Sequence, residues 1–277
     1  MDRTHDDPFF SIAQCNDSDI DLGLGALLIA KDAYPELDTR AYMKQLDRMA
    51  LEVKGLIGET AEPSRQIAQL NHYLFEENSF KGNEDDYYNP RNSYLNDVLE
   101  RKLGIPITLS VVYIEMSKRI GLPIVGVGFP GHFIVKHKGE YLETYIDPFH
   151  GGRILSDDEL REQLETVFQQ PTPLQPEFLK QVSNREILAR ILRNLKQIYF
   201  KTKAYDHAIS ASERITWLLP DYAQEHQDLG YLYYKTHAHG KSLKSFEEYL
   251  RISGNPPDRE DIEENIGLLK KRLAILN

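Results

Sequence analysis

A single cysteine, Cys15, stands among the 277 residues. With no second thiol the chain can form no internal disulfide, and a multi-cysteine zinc site is excluded. Such thiol poverty suits a reducing compartment. No apolar run approaches the ~18 residues that a membrane span requires; the greasiest stretches, 26–30 and 105–113, are the length of core segments. The opening MDRTHDDPFF is acidic and lacks an apolar signal region, so export is not expected and the expected location is the cytoplasm. Positive charge is also in deficit: 33 Lys and Arg against 43 Asp and Glu leave a net charge of −10. Counterion release rewards basic surfaces, and no basic cluster interrupts this acidity, so neither nucleic acid nor membrane is expected as a partner. What remains is a globular composition, 41% hydrophobic and 27% charged, of a length that favours two domains.

The first hundred residues read as helices between polar turns. Asn16–Lys31 carries Ile20, Leu22, Leu24, Leu27 and Leu28 behind an Asn/Asp/Ser start, and Asp38–Leu56 repeats the pattern through Leu46, Met49, Ala50 and Val53. Thr60 is placed to cap a third helix with Pro63 in its first turn. Residues 80–90 form a loop by Gly, Asn and Pro content, followed by a short helix from Ser93 to Leu103. From Ile105 to Ile120 the chain is apolar on nearly every side, the mark of a buried helix, and Pro106 suits its first turn. After Gly121 the pattern changes to three β-rich runs, Ile124–Phe129, His132–His137 and Tyr141–Ile146, separated by Pro130-Gly131 and Lys138-Gly139. A buried helix followed by an antiparallel meander is an α+β order.

Ser156-x-x-Glu159 is a capping-box signature for another helix, and QQPTPLQP supplies the best linker composition in the chain. Beyond it everything is helical, opened by a second capping box, Ser183-x-x-Glu186. Leu195 and Leu229, Tyr199 and Tyr233, Lys201 and Lys235, and Ala208 and Ser242 each stand 34 residues apart, the tetratricopeptide period. The expected organisation is therefore an α+β domain over 1–170, a linker over 171–183, and an all-α tetratricopeptide-like array with a capping helix over 184–277. Tyr199 and Tyr233 mark the expected repeat face, and such arrays dock protein or peptide partners.

His132 and Asp147 on neighbouring strands, behind a buried helix, have the layout by which thiol acyl-transfer enzymes set an imidazole beside a carboxylate. The stretch GIPITLSVVYIEMSKRIGLPIVGVGFPGHFIVKH, with YIDPFHGG after it, resembles the core of the transglutaminase-like superfamily. With FKGNEDDYYNPRNSYLNDVLERK and the trailing repeats it is similar to the bacterial SirB-type branch. The resemblance implies a papain/transglutaminase-like fold in which Gly-x-Cys opens the central helix and His and Asp-Pro follow. Gly121-Leu122-Pro123, His132 and Asp147-Pro148 match, but counting back from Gly121 places Gly104-Ile105-Pro106 on the Gly-x-Cys. Pro106 has no thiol, hydroxyl or amine, so the fold name does not bring the reaction with it.

Two readings follow. The first is a non-catalytic interaction or regulatory protein on a degenerate scaffold, using repeats and cleft to hold a protein or peptide. The second is a hydrolase or acyl-transferase in which Thr108 or Ser110, within a turn of Pro106, replaces the thiol. Cys15 belongs to no motif. Tyr87, Tyr88 and Tyr94 are placed to wall a ligand or peptide cleft, or to anchor a long loop. For a metal, the donors present are His132, His137, Glu143, Asp147 and His150. His132 and His137 have opposite strand phase, His150 lies beyond a Pro-marked turn, and no HExxH spacing exists, so neither metal nor cofactor is expected.

Overall fold

The computed structural model describes residues 7–59, 62–139 and 143–276. They cluster into two compact units, one spanning Asp17–Ile191 and one joining the residues up to Asn16 to those from Leu192 onward.

In the first unit, α2 (Leu22–Ala30) starts where the Asp21 carboxylate accepts the Leu24 N–H at 2.9 Å. Asp38 does the same for Arg40 and Ala41 at the head of α3 (Thr39–Ile57). A short polar side chain of this kind satisfies first-turn amides that the helix leaves unpaired. Helix α3 buries Leu46, Met49, Ala50 and Val53, the expected i, i+3, i+4, i+7 stripe. Helix α4 (Pro63–Asn71) carries Pro63 in its first turn and runs into a π-helical turn, His72–Glu77; the cap expected at Thr60 falls outside the described residues. Two short strands that periodicity did not reveal, β1 (Lys81–Gly82) and β2 (Leu103–Gly104), pair in parallel around α5 (Leu95–Arg101).

Helix α6 (Pro106–Ile120) is the buried helix, every residue from Pro106 to Ser117 being inside. It packs on β3 (Ile124–Val127) and β4 (Ile134–His137), which continue through β5 (Thr144–Asp147) into β6 (Arg153–Leu155) as one antiparallel meander in that order. The strands begin later or stop sooner than the composition suggests, because Pro130-Gly131 and His132 form the connecting turn. Tyr141, the expected start of the third run, lies outside the described residues. Strand β6 was not anticipated. Strand β4 is buried at all four positions, so both of its faces are covered rather than one. Helix α7 (Asp157–Phe168), opened by the Ser156/Glu159 capping box, contributes Leu160 and Leu164 to a core with Val127, Phe129, Ile134, Tyr145 and Leu155.

The segment 171–183 is not a free linker. Leu174, Phe178 and Leu179 pack on that same core, and Val182 N–H donates to Gly126 O at 3.0 Å beside a Val127–Gln181 bridge. The reason lies in the sheet order: β3 is an edge strand whose outward N–H and C=O groups need partners, and 181–182 supplies them. Proline-rich composition marks absent helix here, not absent packing.

Helix α8 (Asn184–Lys201) is divided at Leu192 between the units. The second unit comprises its last turns with α9 (Tyr205–Leu218), α10 (Ala223–Lys235), α11 (His239–Ser253) and α12 (Arg259–Leu276). Helices α10 and α11 approach closely at Gly230, where a Cβ would lie 2.4 Å from the Phe246 ring, and Ser242 Oγ donates to Gly230 O at 2.7 Å. Small residues at these two positions allow the crossing, as the repeat period implies. Residues 7–16, expected with the first domain, group instead with these helices. Helix α1 (Pro8–Ala13) buries Phe9, sets Phe10 edge-on against Trp217 at 5.4 Å, and is anchored by Asp7 to Arg214 at 2.8 Å. No described helix is long and apolar enough to cross a membrane.

Candidate functional site

The first unit brings His132 and Asp147 together, as their strand positions suggested. The turn before β4 delivers the imidazole: Gly131 adopts φ +68°, and a Cβ there would meet Val167 at 2.5 Å, so glycine is required on both counts. His132 N–H donates to Phe129 O at 3.0 Å, and its carbonyl accepts from Arg190 Nη2 at 2.7 Å, fixing the residue from both sides. Asp147 ends β5 and caps the short 3-10 turn Pro148–His150, its Oδ1 accepting the N–H of Phe149 at 3.0 Å and of His150 at 3.4 Å. Its Oδ2 accepts from His132 Nε2 at 2.9 Å.

That turn also returns His150 to the same oxygen, its Nδ1 lying 2.7 Å from Asp147 Oδ2. One carboxylate with 1% of its side chain exposed thus holds two imidazoles, of which His132 is 15% and His150 50% exposed. Burial pushes the Asp147 carboxyl pKa up, but the hydrogen bonds and charges of His132 and His150 outweigh this and hold it below its usual value. The carboxylate is therefore ionised at neutral pH, and it orients both rings. With Nε2 engaged, His132 has Nδ1 left for proton transfer, and that atom makes no hydrogen bond among the described residues. A buried carboxylate that orients an imidazole in this way is an arrangement that acyl-transfer sites use.

The resemblance places the nucleophile at the start of α6. Pro106 occupies the first position of α6. Thr108, buried, accepts the Ile105 N–H at 3.1 Å and donates to Asn92 O at 2.7 Å, so its hydroxyl serves the helix start. Ser110 is wholly buried with no hydrogen-bond partner among the described residues. Neither hydroxyl bonds His132, whose ring neighbours are Asp147, His150 and the edge of Phe149 at 6.1 Å. Cys15 Sγ contacts Ser11 O at 3.4 Å, just after α1.

Of the three tyrosines, two border this cluster. Tyr87 packs edge-on against Phe149 at 6.2 Å and against the exposed Tyr88 at 5.3 Å; burial raises the Tyr87 pKa. Tyr94 does not. It is 2% exposed and packs on Tyr34, because it sits at the head of α5, facing the core. Sequence reasoning gave no role to Phe149, the link between Tyr87 and His132, or to Arg190, one of three arginines in α8 that nothing in the sequence sets apart. Asn71 is a third omission. It accepts from Tyr113 OH at 2.9 Å and donates to Gly152 O at 2.8 Å, bracing the turn after Asp147 against α6. His132 and His150 open into a cavity of about 370 Å³ walled by Arg153 and α7.

In the second unit, the marked tyrosines are not the open face. Tyr233 is 6% exposed, with its hydroxyl donating to Glu213 and Lys241 over its ring at 5.0 Å; burial raises its pKa. Tyr199 is half-buried and stacks on His207 at 4.9 Å. Their neighbours Phe200 and Tyr231, 50% and 42% exposed, instead line a groove of about 450 Å³ with Lys196, Lys201 and Lys235. A position one or two residues along a helix rotates by 100° or 200°, which is why the motif positions pack inward and the neighbours outward.

Comparison with known proteins agrees with this architecture. A family model described as transglutaminase-like superfamily matches residues 40–193, and a tetratricopeptide repeat model matches 195–267. A UPF0162 protein of Xylella fastidiosa is 37% identical over 245 residues, 87% of each chain, and one of Vibrio cholerae is 27% identical over 88% of this chain and 91% of its own. F-box only protein 21 of Mus musculus is 36% identical over 109 residues, 36% of this chain and 17% of that one. A crystal structure of menin overlays 93% of this chain and 72% of menin at 10% identity, with a TM-score of 0.41 that carries no argument. The chain therefore belongs to the transglutaminase-like superfamily, with the UPF0162 proteins, and carries tetratricopeptide repeats after the superfamily domain.

Proposed function

We propose that this protein works by holding a protein or peptide partner, on a scaffold that no longer performs thiol acyl transfer. The observation that carries the reading is Pro106 at the first position of α6, with the nearby hydroxyls of Thr108 and Ser110 buried and unconnected to His132. A covalent mechanism requires a nucleophile within hydrogen-bond reach of its base, and neither hydroxyl qualifies. The repeats support the positive half of the proposal: Phe200 and Tyr231 offer exposed aromatic surface in a groove, the residue type that anchors partners. The Tyr87–Tyr88 loop beside Phe149 offers a second, smaller apolar edge.

A hydrolase without a covalent step is the alternative, favoured by the intact His132–Asp147 pair with Nδ1 free of hydrogen bonds among the described residues. One experiment separates the two. Purified full-length protein is assayed for amine-dependent acyl transfer, peptide cleavage and amidase turnover, with no turnover above buffer expected. Turnover abolished by His132→Ala would overturn the interaction reading.

A further inference from the structure

We propose that His132, Asp147 and His150 bind one divalent first-row metal ion, zinc being the best match to the donor set. The proposal does not depend on the repeats or on the interaction reading. It starts from a feature that sequence spacing argued against. His150 lies beyond a proline, which pointed it away from the other donors. Pro148 instead sets the first position of a tight 3-10 turn, and that turn folds His150 back onto the carboxylate three residues earlier. One ligand atom from each of His132, Asp147 and His150 lies within 4.8 Å of the other two, and His132 Nε2 and His150 Nδ1 both contact Asp147 Oδ2.

Their spacing fits a common ion. Two ligands about 2.1 Å from a metal, at angles between a right angle and a tetrahedral one, are about 3.0–3.4 Å apart. The nitrogens stand 2.9 and 2.7 Å from Asp147 Oδ2, so shifts of a few tenths of an ångström suffice on those two edges, and the two imidazoles, within 4.8 Å of each other, close the third as the His150 ring moves inward. His150 is half exposed and can make that shift. Two imidazoles and one carboxylate are borderline donors of the kind zinc takes, and three protein ligands leave positions open for water.

The surroundings meet the other requirements of a metal site. Asp147 Oδ1 is held by two backbone N–H groups, which fixes the carboxylate while Oδ2 faces the histidines. The His132 backbone is clamped by Arg190. The cavity provides an entry path, and its charge suits a cation: Arg153 is paired with Glu159, while Glu162 adds a further carboxylate to the wall. A ring nitrogen that ligates an ion presents its lone pair, so each imidazole would bind as the tautomer with its proton on the other nitrogen, Nδ1 of His132 and Nε2 of His150, and no redox partner is needed. No reaction step is assigned to the ion.

The test uses tag-free, full-length protein stripped with a chelator and dialysed. Zinc is titrated calorimetrically, and cobalt(II) serves as a spectroscopic stand-in whose visible absorption reports coordination by the chain. One equivalent of zinc is expected to bind at micromolar concentration or tighter, with cobalt absorption displaced by zinc. His150→Ala, at a half-exposed position, should keep the fold by circular dichroism and weaken binding about 100-fold or more, since even indirect partners of a metal are worth about 10–100-fold. Asp147→Asn should act likewise. His237→Ala removes an exposed histidine close to His239 in the other unit and should leave binding unchanged. Absence of saturable binding would show a hydrogen-bonded cluster only. Binding that survives both His150→Ala and Asp147→Asn, or that is lost in His237→Ala, would equally overturn the assignment.

Discussion

His137 lies in the middle of the sheet, 6% exposed, between Ile124 on β3 and Thr144 on β5. Desolvation there disfavours the charged ring and lowers its pKa from the usual value. The unfolded chain then binds a proton more readily than the folded one. Stability from this residue is complete above about pH 6.5 and is lost as pH falls through that value toward the lower folded pKa. We expect the denaturation midpoint of the wild type to fall between pH 7.5 and 5 by more than that of His137→Gln, the excess being at most about 1.4 kcal/mol per pH unit. Equal slopes would mean that the ring stays hydrated. Single residues were unevenly legible. His132 and Asp147 announced themselves because strand order and a proline-marked turn limit where such residues can go. Tyr94 and Tyr233 misled, since an aromatic in a loop motif or a repeat motif looks the same whether its ring faces solvent or core.

Helix α6 shows what one buried element asks of its neighbours. Glu115, 1% exposed, accepts the Gly23 N–H from α2 at 3.0 Å and bonds Arg119, which also reaches Asp47 of α3 at 2.8 Å. Three helices are thus tied through one carboxylate. Removing one member of a buried pair leaves the other charge without compensation, so Glu115→Ala should destabilise the first unit by about 3 kcal/mol in urea unfolding. A loss under about 1 kcal/mol, the range of exposed pairs, would show that water replaces the carboxylate. The buried character of α6 was readable from its apolar run. Strands β1, β2 and β6 were not, because two or three residues carry no period to detect. The 171–183 segment misled for a related reason: proline-rich stretches cannot form helices, yet an edge strand can still recruit their backbone.

Across the whole chain, the second unit is discontinuous, residues 7–16 grouping with the residues from Leu192 onward. Trp217, the chain's single tryptophan, touches Phe10 and so reports on that packing. Deleting residues 2–16 removes the buried Phe9 and the Asp7–Arg214 pair. We expect a red shift of tryptophan emission and a loss of about 3 kcal/mol in the unfolding of that unit, the scale of a large aromatic removed from a core. An unchanged spectrum and unfolding midpoint would mean that α1 is not seated on α9. Two long signals, an apolar run at 105–120 and a 34-residue period after Leu195, were enough to establish the two kinds of architecture, because each repeats over many residues. Pro106 was equally plain, since the chemistry of a side chain is written in its identity. Convergence was not. That His150 meets Asp147, that Phe200 rather than Tyr233 faces the groove, and that the N-terminal helix joins the repeats depend on turn geometry, helix rotation and long-range packing. Those arise only when distant segments exclude water together.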